Sequence, residues 1–150
     1  MGARADKARE LFVGGYNCSQ AVIGAFADLY GFDTAQALKI SEALGGGLGR
    51  LRLTCGAVNG MAMVVGMKLS SGEAGDLKTR GEIYEVVRQM VGEFKENNGT
   101  IICAELLGLS KPKDDSPAPE ARTPDYYKRR PCADKVYECA LLVEKYLNIS

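Results

Sequence analysis

The sequence predicts an all-α protein: a single compact domain of about six helices with a proline-rich surface loop before the last one. Three observations lead there. Apolar residues recur at helical spacing and no convincing strand alternation is found. Capping signals recur, as in "NCSQ", "DTAQ" and "TRGE". Glycines stand where the apolar periodicity stops. With 150 residues, 46% hydrophobic and 25% charged, the chain fits one globular domain, residues 1–150, that buries its core without cross-links.

The first helix is expected from Ala3 to Val13, stopped by Gly14 and Gly15. The second opens at Asn17, an N-cap with Gln20 three residues on, and carries Ala21, Val22, Ala25, Phe26 and Leu29 until Gly31 closes it. Asp33, with Gln36, caps a third helix through Leu38 and Ile40 to Leu44. After "GGGLGRLRL", Thr54 is the expected N-cap of a fourth helix from Cys55 to about Leu69. That helix is apolar nearly all round, so it should be the central buried element. "SSGEAGDLK" reads as a loop, Thr79 to Glu82 as a capping box opening a fifth helix to about Asn97, and Thr100 as the start of a short helical piece. Every proline of the chain (Pro112, Pro117, Pro119, Pro124, Pro131) falls in the following stretch, read as a polar loop lying over the domain. Pro131 suits the first position of a last helix, Cys132 to Leu147.

Composition narrows the chemistry. Lys plus Arg and Asp plus Glu are 19 each, which argues against nucleic acid as a partner. Histidine is absent, which removes His-liganded metals, imidazole bases and Ser-His or Cys-His catalysis. "MGARADKARELF" has no apolar signal core, and the longest apolar run, Gly56 to Met67, is too short for a bilayer. The expectation is a cytoplasmic protein with no membrane partner, where cysteines serve redox or metal work more often than stable disulfides.

The five cysteines are Cys18, Cys55, Cys103, Cys132 and Cys139. All but Cys139 fall in the first turn of a predicted helix, where unpaired N–H groups and the helix dipole favour thiolate. Such positions lower a thiol pKa from ~8.5 to roughly 3.5–7.5. Lys128, Arg129 and Arg130 add to that influence at Cys132. Cys139, inside "VYECALLVEKYL", reads as core filling, or else as a resolving thiol sharing the Cys132 face.

The ordered set "GYNCSQAV", "GGGLGR", "CGAVNG", "CAELLG" and "PC" before a final helix resembles the C_GCAxxG_C_C family of redox-active proteins. The resemblance runs from Phe12 to Leu147, and its cysteines fall on Cys18, Cys55, Cys103 and Cys132, with Cys139 outside the pattern. It implies redox work through thiol chemistry or an iron–sulfur cluster. It does not carry over haem, because the haem-binding half of the related split-Soret cytochromes is lacking.

Other motifs read more plainly. "GGGLGR" is no phosphate loop; it suits a tight interhelical turn whose N–H groups could line an anionic centre beside Cys55. Met61, Met63, Met67 and Met90 read as core, Glu105, Glu138 and Glu144 as surface charges, and Tyr126, Tyr127, Tyr137 and Tyr146 as packed rings with wet hydroxyls.

Three functions fit. In a thiol–disulfide oxidoreductase or electron-transfer protein, Cys55 attacks, Cys18 resolves, and Cys103 with Cys132 form a second pair or relay. In a cofactor protein, the same four cysteines hold an iron–sulfur cluster or zinc. In a helical interaction module they are structural. "AV-x-G" follows both Cys18 and Cys55, so those two are expected to meet. The partner would be a redox protein or small oxidant, with a homodimer as the assembly considered.

Overall fold

The computed structural model describes residues 2–108 and 116–149. Among them the chain forms eight α-helices rather than about six. They are α1 (Ala3–Val13), α2 (Cys18–Phe26), α3 (Thr34–Ser41), α4 (Gly56–Leu69), α5 (Leu77–Asn98), α6 (Cys103–Leu106), α7 (Pro124–Arg129) and α8 (Cys132–Tyr146). Tight 3-10 turns, Ala27–Tyr30 and Glu42–Leu44, extend α2 and α3. No strand forms among the described residues; one isolated bridge joins Thr54 to Ile102.

The Asn17 capping box is complete: its carboxamide oxygen accepts from the Gln20 N–H, and Gln20 accepts from the Asn17 N–H at 3.1 Å. Asp33 caps α3 through Gln36, also as expected. Elsewhere a stronger local acceptor displaces the expected cap. Asp76 accepts from Thr79 N–H and starts α5 three residues earlier than the "TRGE" box suggests. Thr54 enters the bridge, so Cys55 itself is the N-cap of α4. Thr100 accepts from Ile102 N–H ahead of the helix, and Ile102 caps α6. Pro131 stands one position earlier than expected, as N-cap of α8.

The centre belongs to α2 as much as to α4, which corrects the expectation. Every residue from Ser19 to Phe26 is buried, against half of α4. The cause is size: Ser19, Ala21, Gly24 and Ala25 give α2 a thin body, so α1, α3, α4 and α8 all pack on it. Phe12, Ile23, Phe26, Met61, Met90, Phe94 and Val143 fill the space between, so Met61 and Met90 are core as read. A methyl added at Gly60 would lie 2.9 Å from the Ser19 carbonyl oxygen and 3.0 Å from Val22 Cβ. Gly60→Ala is therefore expected to cost about 1–3 kcal/mol. Gly92→Ala, in open space on α5, should instead gain up to ~1 kcal/mol, and urea unfolding of both variants checks the contrast.

Glu144 corrects a second expectation. It is 1% exposed and reaches from α8 to the start of α1, where it accepts from the backbone N–H groups of Gly2, Arg4 and Ala5 at 2.5, 2.9 and 3.1 Å. It is a cap delivered from the far end of the chain, which sequence neighbours do not reveal.

The proline-rich stretch is more than a loop. Pro112 lies outside the described residues, but Pro124 is the first residue of α7, capped by Thr123. Arg122 and Tyr127 tie this segment to α1 by donating to the carbonyls of Phe12 and Val13.

Candidate functional site

Four helices begin on a cysteine. Cys18, Cys103 and Cys132 are the first residues of α2, α6 and α8, and Cys55 caps α4. Two local devices bring these starts together. Around the Thr54–Ile102 bridge, Cys55 N–H donates to the Ile101 carbonyl at 2.8 Å and Cys103 N–H to the Leu53 carbonyl at 2.6 Å, so both cysteines leave one short ladder. At Gly56, the place of a missing Cβ is 3.2 Å from Cys18 Cβ, so a bare backbone there lets the starts of α2 and α4 meet. Packing of α8 on α2 brings in Cys132. All four line one cavity of about 510 Å³, and all five cysteines are free thiols.

The thiols are not equivalent. The thiols of Cys18 and Cys132 face one another in hydrogen-bonding contact. That bond and burial, with the neighbouring sulfurs, push Cys18 well above the ordinary thiol range. The same bond pulls Cys132 down to about 7 against its own burial, helped by the Arg130 charge, a hydrogen bond from Tyr126 and the Arg122 charge. The contact favours the thiolate at Cys132 and the protonated thiol at Cys18.

Cys55 behaves contrary to the expectation that its helix start makes it the ionised thiol. Burial pushes it up to about 11, although the backbone N–H groups of Val58 and Ala57 favour its thiolate. It is 6% exposed, and desolvation outweighs a helix dipole acting on so enclosed a sulfur. Burial also raises Cys103, with Arg52 working the other way from 3.7 Å. Cys139 is fully enclosed in α8 and is pushed up by burial, so it fills core and is not a resolving thiol on the cavity. Cys18 packs against Gly56, the residue after Cys55, and the partner that Cys18 hydrogen-bonds is Cys132.

"GGGLGR" forms an unusual turn. Residues Gly46 to Arg50 all have positive φ, between 56° and 75°, and Arg52 has φ 63°. For Leu48, Arg50 and Arg52 this costs about 1–2 kcal/mol each. The N–H groups from Leu48 to Leu53 donate to carbonyls between Ala43 and Leu48, so they hold the turn together and do not line an anionic centre. Gly47 is required by space as well as φ: a Cβ there would sit 2.7 Å from Cys103 Cβ.

Sequence reasoning found the four cysteines and the influence of Arg130. It missed Arg122 and Tyr126. Both come from the proline-rich segment, which covers the cavity, and the Tyr126–Tyr127–Phe12 edge contacts fix that segment on α1. The only signal was the density of aromatic and basic residues in "DYYKRRPC". Among the described residues no group of three Cys, Asp or Glu side chains is drawn together so as to hold a metal ion, so the four thiols as placed do not fit a resident zinc. No helix among the described residues is long and apolar enough to cross a membrane.

A family model described as "Putative redox-active protein (C_GCAxxG_C_C)" matches residues 16–146. No curated protein and no solved structure matches significantly. The matched span takes in all four helix-start cysteines and the glycine turn, and by that match the chain belongs to the C_GCAxxG_C_C family.

Proposed function

We propose that the protein works by thiol–disulfide exchange, with Cys132 as the attacking thiol and Cys18 as the resolving thiol. The observation that carries this is the hydrogen-bonded Cys18–Cys132 pair, polarised so that Cys132 is the ionised member and open to a cavity large enough for a small molecule. The Cys132 thiolate attacks one sulfur of a substrate disulfide RSSR; a Cys132–S–S–R bond forms and RS⁻ leaves. Cys18 then attacks the Cys132 sulfur, giving up its proton to the medium or the departing thiolate. The products are a Cys18–Cys132 disulfide, one RSH and one RS⁻. Two electrons pass from the protein dithiol to the substrate, and reduction by a second dithiol would reset the pair. Cys55 and Cys103 form a second, more deeply buried pair of thiols in the same cavity and are proposed as a relay.

Reduced protein treated with one equivalent of a small disulfide should yield a Cys18–Cys132 bridge by peptide mass spectrometry. Cys18→Ser should instead accumulate a mixed disulfide on Cys132, and Cys132→Ser should accumulate none. A bridge confined to Cys55 and Cys103 would overturn the assignment. A brown protein carrying iron and sulfide after anaerobic purification would replace thiol exchange with cluster chemistry.

A further inference from the structure

The charge around the cysteine cavity is lopsided. The chain as a whole balances 19 cations against 19 anions, yet among the described residues the cavity is lined by five cationic side chains and two carboxylates, Glu42 and Glu120. Several of these cations are spent on neutral partners. Arg52 points at the Cys103 thiol, Arg122 donates to the carbonyls of Phe12 and Tyr16, and Lys135 donates to the Asn98 carboxamide. Arg130 pairs with Glu120 at 3.0 Å but keeps a buried Nε with no hydrogen-bond partner. Holding the Arg52 and Arg122 guanidinium groups against neutral partners on one cavity wall is unfavourable unless something anionic occupies the cavity. The Cys132 thiolate supplies one negative charge, which leaves an excess. Phe12, Leu106 and Pro119 give the rest of the wall an apolar part, beside the polar Asn17 and Gln20.

We infer that the cavity selects a small, negatively charged disulfide, such as one with a carboxylate on each arm, whose acidic groups are held by Arg52, Arg122 and Lys135 while one sulfur meets Cys132. This rests on the exchange reading above and names its substrate class. The bond changes are those already written, with R now carrying a carboxylate; two anionic thiols are released.

The test is the rate of reaction of the reduced protein with 3,3′-dithiodipropionate, bis(2-hydroxyethyl) disulfide and cystamine, which carry two negative, no and two positive charges. Each rate is divided by that of an uncharged model thiol with the same reagent. The normalised rate for the dianion should exceed the neutral one by about tenfold or more at low salt, cystamine should be slowest, and the advantage should shrink as salt is raised. Lys135→Met removes a cavity charge one helical turn from Cys132. It should reduce the dianion's advantage severalfold, read as the ratio of the dianion rate to the neutral-disulfide rate within the same variant, so that any change in Cys132 reactivity cancels. Equal normalised rates for the dianion and the neutral disulfide would overturn the charge selection and leave the exchange reading standing. Failure of all three disulfides to react at Cys132, in protein whose Cys132 still takes iodoacetamide, would defeat the exchange reading itself.

Discussion

In pH-dependent alkylation of the reduced protein, Cys132 should label first, with a midpoint about 7, and Cys55 should follow only as the pH approaches about 11. At pH 7 about half of Cys132 is thiolate, against about one part in 10⁴ of Cys55. Nucleophilicity falls with pKa by about 0.4–0.5 log units per unit, so the net advantage is roughly two orders of magnitude in rate. The sign follows from the groups facing Cys132. The Cys18 thiol on α2, the Arg122 and Arg130 charges and the Tyr126 hydroxyl from the covering segment stabilise its anion, while burial opposes them. Its rate therefore falls tenfold per unit below about 7 and levels off above it. Burial raises Cys55 and Cys103, the Cys132 contact and burial raise Cys18, and repulsion from ionised Cys132 adds to all three. Cys18→Ala should move the Cys132 midpoint up toward ~8.5, whereas Cys18→Ser, which keeps a donor, should move it less. If Cys132 and Cys55 titrate together, the polarised pair is wrong. Peptide mass spectrometry with isotope-coded iodoacetamide reads every site at once.

Glu144→Ala should be among the most destabilising single changes in the chain. It removes a buried carboxylate that accepts from three backbone N–H groups at the start of α1 and leaves those donors without partners. Hydrogen bonds to a charged acceptor are worth about 1.5–3 kcal/mol each and are not additive, so a loss of about 3 kcal/mol is expected. For a domain of this size that lowers Tm by roughly 10 °C. Glu144→Gln keeps an accepting oxygen and should fall in between. A loss within ~0.5 kcal/mol for the alanine variant would mean that α1 frays and rehydrates its own N-terminus at little cost. The Cys132 alkylation profile should be unchanged in Glu144→Gln, because Glu144 is not among the residues lining the cavity.

Local chemistry was enough to place most of the helices and the site cysteines. Asn17 with Gln20, and Asp33 with Gln36, are acceptors and donors three residues apart, and such partners need nothing but the chain between them. The sequence also placed Cys18, Cys55, Cys103 and Cys132 at helix starts, and the glycine turn between the first and second of them. What only the tertiary structure decided is which thiol is acidic. A helix start offers every one of the four a similar dipole, but desolvation and neighbours differ from site to site. Cys55, 6% exposed beside the Thr54–Ile102 bridge, loses more from burial than its N–H groups return. Cys132 receives Cys18 from a helix more than a hundred residues earlier, and Arg122 and Tyr126 from a segment that reads as surface loop. Glu144 follows the same logic: on α8 alone it is one more charge, and only the docking of α1 turns it into a cap. Short-range hydrogen bonding is written in residue order; burial and through-space charge depend on which distant segments the fold brings into contact.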